Sequence, residues 1–306
     1  MRPWIGRTVA AALLATACAG ASASSVAFCD RTTHPVSARQ HDRLLRFAAV
    51  VRAELEATDG ASAIVARSGL DLERFGQRYS HAGVSLRASE NGPWSVRQLY
   101  FACDERVPRL YDQGVAGFVA GTEEDTALGY VSIVLLPPDS AQALARRALD
   151  NAASLGLLGA AYSANAYPFS ERYQNCNQWV AELLALAWGD VDDAEPDARR
   201  AAQRWLLDAG YSPTLFDASS LFLTIARPFV PWVHVDDHPV ADRAVRRYLV
   251  SMPASIEAFV RAQLPDAQRI EVCHAGRRLV VHHGWDEIAD GCVAGPGDRV
   301  VELSDE

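Results

Sequence analysis

The chain has 306 residues, 49% of them hydrophobic and 22% charged, with a formal net charge of -9. That is enough apolar chain for one substantial core or a core plus a smaller lobe, so disorder is not the default reading, and the negative balance argues against nucleic acid and anionic membrane as partners. The sequence contains no lysine, so all 29 basic residues are arginine, and Schiff-base chemistry and a phosphate-loop lysine are excluded with it.

Arg2 and Arg7, an apolar stretch over residues 9–17 and then small residues read as a secretory signal peptide over residues 1–23. Ala21-Ser22-Ala23 fits the cleavage site, with Ser25-Val26-Ala27 as a second choice. The apolar run is too short to cross a bilayer. Lipidation of Cys18 is the weaker alternative, because alanine stands where leucine is usual in Ala15-Thr16-Ala17-Cys18. No later segment holds the apolar length of a transmembrane helix. The mature chain is therefore expected to be soluble and exported, to a periplasm or beyond the cell.

Ser37 and Gln40 form a capping box, and Leu44, Leu45, Ala48, Val51 and Leu55 continue at helical spacing to about residue 57. Residues 63–66 read as a strand between Gly60 and Gly69. The alternating runs 79–87 and 94–100 flank Asn91-Gly92, which predicts a hairpin. Residues 104–125 read as loop-rich with one more strand around 117–120. Residues 130–136 form the most apolar strand, ended by Pro137-Pro138, and 140–153 follow as a helix. Beyond a linker, residues 176–188 read as a helix, with Val180, Leu183, Leu184 and Ala187 at three- and four-residue steps and Gly189 closing it. Strands and helices segregate along the chain, which favours α+β over a parallel sheet. After the acidic stretch 189–196 come helices over 197–209 and 241–263, then a hairpin of 269–274 with 278–283 around Ala275-Gly276. The expected organisation is a domain over 24–190 and a mainly helical region over 191–306 that ends in that hairpin.

Loss of Cys18 with the signal leaves Cys29, Cys103, Cys176, Cys273 and Cys292. An oxidising compartment favours disulfides between them. Cys273 and Cys292 can pair locally and Cys103 is the natural partner for Cys29, although spacing alone leaves the pairing open. Cys176 is left over.

A cysteine becomes a nucleophile where its thiolate is favoured, at a helix N-terminus or beside an imidazole. Asn175 is a good N-cap, so Cys176 belongs to the first turn of its helix. Among the histidines, His34 and His41 read as solvated residues near the first helix. His234 and His238 have metal-ligand spacing only in a helix, which Pro231 and Pro239 oppose, so no metal is expected. His274, His282 and His283 belong to the terminal hairpin. His81 differs: it starts a strand, and Ala82-Gly83 after it leave space beside the ring.

His81 in YSHAGV, followed about a hundred residues later by the helix-starting Cys176 in NCNQWV, resembles the circularly permuted branch of the NlpC/P60 papain-like superfamily, to which lecithin-retinol acyltransferase-like proteins belong. More narrowly, FCDRT, SHAGV, the W-x-V-x-Q-L-Y strand and YQNCNQWV resemble an exported proteobacterial family, domain of unknown function 2145. The resemblance implies a permuted papain-like antiparallel sheet packed on helices, with Cys176 as nucleophile, His81 as general base and a polar residue on the next strand orienting the imidazole. With the Asn91-Gly92 turn setting the register, His81 stands near Tyr100 and shares a face with Gly83 and Gln98. Gln98 is then the orienting residue and Asp104 the fallback. The Cys176 backbone N–H, aided by Gln174 or Asn177, would meet the oxyanion. The expected function is an exported cysteine hydrolase of an amide or ester in a peptide or acyl substrate, a cell-wall peptide among them, with no cofactor. An acyltransferase or thioesterase on the same residues, and a non-catalytic periplasmic binding or assembly protein, are the alternatives.

Overall fold

A computed structural model describes residues 37–120, 128–189, 191, 197–218 and 232–303. The expected signal peptide, Cys29, His34 and nearly all of the acidic stretch lie outside the described residues. Helix α1 (Ala38–Glu56) starts at the predicted capping box: Ser37 Oγ accepts from Gln40 N at 3.3 Å, and Gln40 Oε1 accepts from Ser37 N at 2.7 Å. It buries one stripe, Leu44, Phe47, Ala48, Val51 and Leu55, against the sheet.

Eight antiparallel strands form that sheet in the order β10-β9-β8-β5-β1-β2-β3-β4. In chain order they are β1 (Ser62–Arg67), β2 (His81–Leu86), β3 (Ser95–Ala102), β4 (Val107–Gln113), β5 (Leu128–Leu135), β8 (Gln268–Ala275), β9 (Arg278–His283) and β10 (Arg299–Glu302). A separate hairpin pairs β6 (Thr214–Asp217) with β7 (Arg247–Val250). One face of the sheet supplies Ala63, Val65, Val96, Val131, Ile133, Val272 and Val281 to a core closed by α1 and by Val115, Phe118 and Val119 of α2 (Val115–Ala120). The other face carries α3 (Pro138–Leu149), α4 (Asn151–Gly156) and α5 (Cys176–Trp188), where Ser62 Oγ of β1 donates to Ala141 O of α3 at 2.7 Å. Packed by α3, by α6 (Ala198–Asp208) and by β2 and β3, α5 is buried from Cys176 through Leu186, polar residues included. A helix enclosed in this way needs partners for its polar side chains, and it has them.

Four sequence expectations are corrected. Residues 117–120 belong to helix α2, whose Val115, Phe118 and Val119 recur at helical rather than strand spacing. The stretch read as loop contains β4, where Pro108 masks the signal; an edge strand tolerates a missing N–H, and β4 is an edge. The helix expected over 241–263 is broken into α7 (Val240–Val245), β7 and α8 (Pro253–Gln263). Arg246 adopts φ 57° and Pro253 opens the last helix, so the residue before it is held extended. Finally, among the described residues the C-terminal third is not mainly helical: β8 pairs with β5 over eight residue pairs, and with β9 and β10 it supplies three of the eight strands. Without β8, the edge of the most apolar strand would be open. All described residues lie within one compact unit, Pro35–Glu306.

Cys273 and Cys292 form a disulfide with Cα atoms 5.7 Å apart, the local pairing that the sequence left open. Such a bond fits an oxidising compartment. Cys103 is also disulfide-bonded, and its expected partner Cys29 lies outside the described residues. Among the described residues Cys176 is the free cysteine, and no helix is long and apolar enough to cross a membrane.

Candidate active site at the start of α5

β1 and β2 pair along their whole length, from Ser62 with Leu86 to Arg67 with His81. β2 and β3 pair only at Val84–Arg97, Ser85–Val96 and Leu86–Ser95, whereas β3 stays on β4 to its end. This is the register that the Asn91-Gly92 turn predicts, but pairing stops before it reaches His81. Into the opening comes the first turn of α5. Asn177 Oδ1 accepts the Ala82 N–H at 2.9 Å and Asn177 Nδ2 donates to Ser80 O at 3.2 Å. One amide side chain thus holds the backbone on both sides of His81, much as a neighbouring strand would.

Asn175 caps α5 as predicted, with Oδ1 accepting from Gln178 N at 2.7 Å. Its Nδ2 donates to Ala164 O and Ser251 O, and Met252 Sδ lies 3.9 Å from Asn177 Nδ2, so the link between β7 and α8 buttresses the helix start. Cys176 is 7% exposed, and its Sγ donates to Asn177 Oδ1 at 3.7 Å. Burial pushes the thiol up to about 11, against the opposing pull of the Arg67 charge and of the backbone N–H groups of Asn177, Cys176 and Ala82. The helix start therefore does not by itself yield a resting thiolate.

The His81 ring is partly buried on the face that α2 covers, its centroid 6.2 Å from that of Phe118. Gln98 is beside it: His81 Nε2 hydrogen-bonds Gln98 Oε1, and Gln98 Nε2 donates to Gln113 Oε1 at 2.8 Å. This relay suits one tautomer of the imidazole. With the Gln98 amide nitrogen donating to Gln113 and its oxygen toward the imidazole, the matching tautomer has the proton on Nε2 and the lone pair on Nδ1. Burial first, then the Arg67 charge, push the imidazole down to about 3, with the Gln98 bond opposing them. At neutral pH both members of the pair are uncharged.

Other expectations change with the geometry. The space left by Gly83 is filled by β3: a Cβ there would meet Val96 Cγ1 at 2.6 Å and Arg97 O at 3.0 Å, so this glycine lets the strands close. Gln174 cannot serve an oxyanion, since its Nε2 donates to Leu157 O and Glu182 Oε2 (2.8 and 2.6 Å) and its Oε1 accepts from Gly159 N at 2.7 Å. Asn177 is equally committed. Asp104 is exposed in the β3–β4 turn. His41 is exposed on α1, His234 stacks on Tyr173 at 4.6 Å, and His238 is buried with Nε2 on Asn165 O at 2.7 Å. His274, His282 and His283 lie on β8 and β9. Among the described residues no group of three or more His, Cys, Asp or Glu side chains is placed to hold a metal ion.

Three participants escaped the sequence reading. Gln113 lies in the strand that Pro108 conceals. Tyr162, in the linker before α5, stacks on Phe101 at 4.9 Å and stands near enough to Cys176 that burial and the thiol together hold its phenol well above the usual range, so it stays protonated. Arg67 is directly opposite His81 on β1. Behind the helix, Glu182 is fully buried and accepts from Arg199 Nε and Nη2 (3.0 and 3.1 Å), Gln174, Gln178 and Gln203, a network that ties the segment ahead of Cys176 to α5 and α6.

No curated protein and no solved structure matches the chain. A family model described as an uncharacterized protein conserved in bacteria (DUF2145) matches residues 54–260, a span that holds His81, Gln98 and Cys176, and the chain belongs to that family.

Proposed function

We propose that the chain is an exported, cysteine-dependent hydrolase of an amide or ester bond, built on a permuted papain-like arrangement, with Cys176 as nucleophile, His81 as general base and Gln98 as the residue that orients it. The observation that carries the reading is the clamp by Asn177. It sets the helix start bearing the thiol against the backbone around His81, while the Gln98–Gln113 relay leaves the imidazole Nδ1 lone pair uncommitted.

In this mechanism His81 Nδ1 takes the thiol proton as sulfur attacks the carbonyl carbon, and the carbonyl π pair moves to oxygen. The Cys176 N–H at the start of α5 and the Tyr162 hydroxyl meet that oxyanion. Collapse expels the amine or alcohol, which takes the proton from His81. Water, deprotonated by the same nitrogen, then attacks the thioester carbonyl, and collapse releases the acid while the departing sulfur takes the proton back from His81. The proton transfers need the neutral imidazole that burial maintains.

A second reading, a non-catalytic binding or assembly protein of the same fold, is favoured by one observation, the thiol pushed up to about 11. Incubating wild type and Cys176→Ala with cell-wall peptide fragments and with acyl esters separates the readings. Release of an amine from peptides by wild type alone supports the hydrolase, turnover confined to acyl esters or acyl transfer to an added acceptor supports the acyltransferase or thioesterase, and no Cys176-dependent release from either class leaves the binding protein.

A further inference from the structure

We propose that Arg78 is a positioning residue for His81, the point at which the loop closed by the Cys273–Cys292 disulfide holds the strand end that carries the base. This rests on the base reading above and adds what keeps that base in place.

His81 is the first residue of β2, at a point that the pairing with β3 does not reach. A strand end left in this way frays unless the chain ahead of it is tied. Asn177 holds Ser80 O and the Ala82 N–H from the α5 side. From the β1 side, Arg67 O accepts from Ser80 N at 3.1 Å and Ser80 Oγ accepts from Leu70 N at 3.1 Å. The two residues before Ser80 turn to β8 instead. Both donate to Glu271 Oε1, Arg78 through Nη1 at 2.9 Å and Tyr79 through its hydroxyl. Glu271 is fully buried and the Arg78 side chain is 12% exposed, so water screens this ion pair weakly and removing either charge strands the other.

The remaining groups of the pair reach one short stretch of the C-terminal loop. Ile288 N donates to Glu271 Oε2 at 2.6 Å, Ile288 O accepts from Arg78 Nη1 at 2.7 Å, and Arg78 Nη2 donates to Asp290 Oδ1 at 2.8 Å. Both backbone groups of Ile288 are thus taken up by one ion pair, much as a neighbouring strand would take them. The disulfide brings the loop there. It ties Cys292 to Cys273 on β8, the strand that carries Glu271. Cys292 N donates to Tyr130 Oη at 3.0 Å, and Arg78 Cζ lies 4.4 Å from the centre of the Tyr130 ring. Cys292 also holds φ 59°, which a β-carbon disfavours, so the end of the loop depends on its fastening. Contacts therefore run without a break from the disulfide through Cys292 and Tyr130 to Arg78, just ahead of the base.

The experiment is acylation of Cys176 by p-nitrophenyl acetate in Arg78→Met, in the joint Cys273→Ala and Cys292→Ala variant and in the two combined. Each is also made in a His81→Ala background. Arg78→Met should slow acylation about tenfold, since a small misplacement of a base loses most of its effect, and should change the His81→Ala rate by less than about twofold. Loss of the disulfide should also slow the reaction, yet add less than about a further twofold once Arg78 is gone. A merely structural role slows both backgrounds by one factor and makes the two losses multiply; either result overturns the proposal. Arg78→Lys keeps Glu271 paired, which protects the fold, but gives up the fork to Ile288 and Asp290. It should still slow acylation at least about threefold, and a wild-type rate overturns the proposal. Native-state amide exchange adds a reading without substrate. In the Arg78 variants the Ala82 N–H should exchange about tenfold faster relative to that of Val272 in β8, whereas general loosening moves both amides together. Equal acylation of wild type and His81→Ala would sink the base reading and leave the exchange ratio to decide whether Arg78 holds the strand end. A ratio unchanged from wild type, beside acylation that depends on His81, would sink the Arg78 assignment alone.

Discussion

Replacing Asn177 by alanine removes both hydrogen bonds that tie α5 to the backbone flanking His81. Asn177 is 2% exposed and Ala82 is fully buried, so the Ala82 N–H loses its partner where water cannot replace it, while Ser80 O, on a partly buried residue, regains some hydration. A buried group left unsatisfied costs about 1–3 kcal/mol. One such group at full cost and one at partial cost give about 2–4 kcal/mol, and the small cavity left by the amide acts in the same direction. For a chain of this size the thermal midpoint should fall by about 3–7 °C. Urea unfolding of wild type and Asn177→Ala, followed by circular dichroism, measures the loss. Asn177→Asp sharpens the test, since it keeps an acceptor for Ala82 but turns an oxygen toward Ser80 O and adds a negative charge beside Sγ. It should also slow Cys176 alkylation below the thiol midpoint. A loss under about 0.5 kcal/mol for the alanine variant, the range of an ordinary surface substitution, would refute the clamp and with it the argument that α5 and β2 are held together there.

Three further outcomes are expected. Glu182→Ala strands the Arg199 guanidinium, whose side chain is only 8% exposed, and should cost about 3–5 kcal/mol in chemical denaturation. Burial holds His274 near 4 and His81 near 3; unfolding lets both bind protons, so the stability they contribute is complete above about pH 6.5 and falls by up to about 1.4 kcal/mol per histidine per pH unit below it. The slope of unfolding free energy between pH 7 and 5 should therefore be shallower in His274→Gln than in wild type, and an unchanged slope would contradict the assignment. Joint replacement of Cys273 and Cys292 by alanine opens a link of sequence separation 19 and should lower stability by about 3 kcal/mol, measured as a drop in the urea midpoint.

The elements legible in the sequence are those whose signal is local. The Ser37–Gln40 box, the Asn175 cap and the alternation on either side of Asn91-Gly92 each fix a short stretch without help from the rest of the chain. Gln98 could be set beside His81 because a turn dictates register. What stayed hidden depends on distant partners. Residues 115–120 carry too few turns to declare a helix until α1 covers them, β4 needs an edge position to tolerate Pro108, and β8 shows its place only because β5 offers it an open edge. Gln174 and Asn177 looked like free amides in sequence and proved to be structural ones, since their partners are 8 to 97 residues away. The ionisation of the pair was hidden for the same reason. A helix start favours a thiolate, but the burial of Cys176 outweighs it, and burial is a property of the assembled fold.

The measurement that bears most directly on the central claim is acylation of the intact protein by p-nitrophenyl acetate, followed by mass and by mapping of peptides cut at arginine. The account predicts a single acetyl group on Cys176 in wild type, none in Cys176→Ala, and acylation at least about a hundredfold slower in His81→Ala, the scale on which a positioned base acts. An unmodified Cys176 in folded wild type, or equal rates with and without His81, would contradict it.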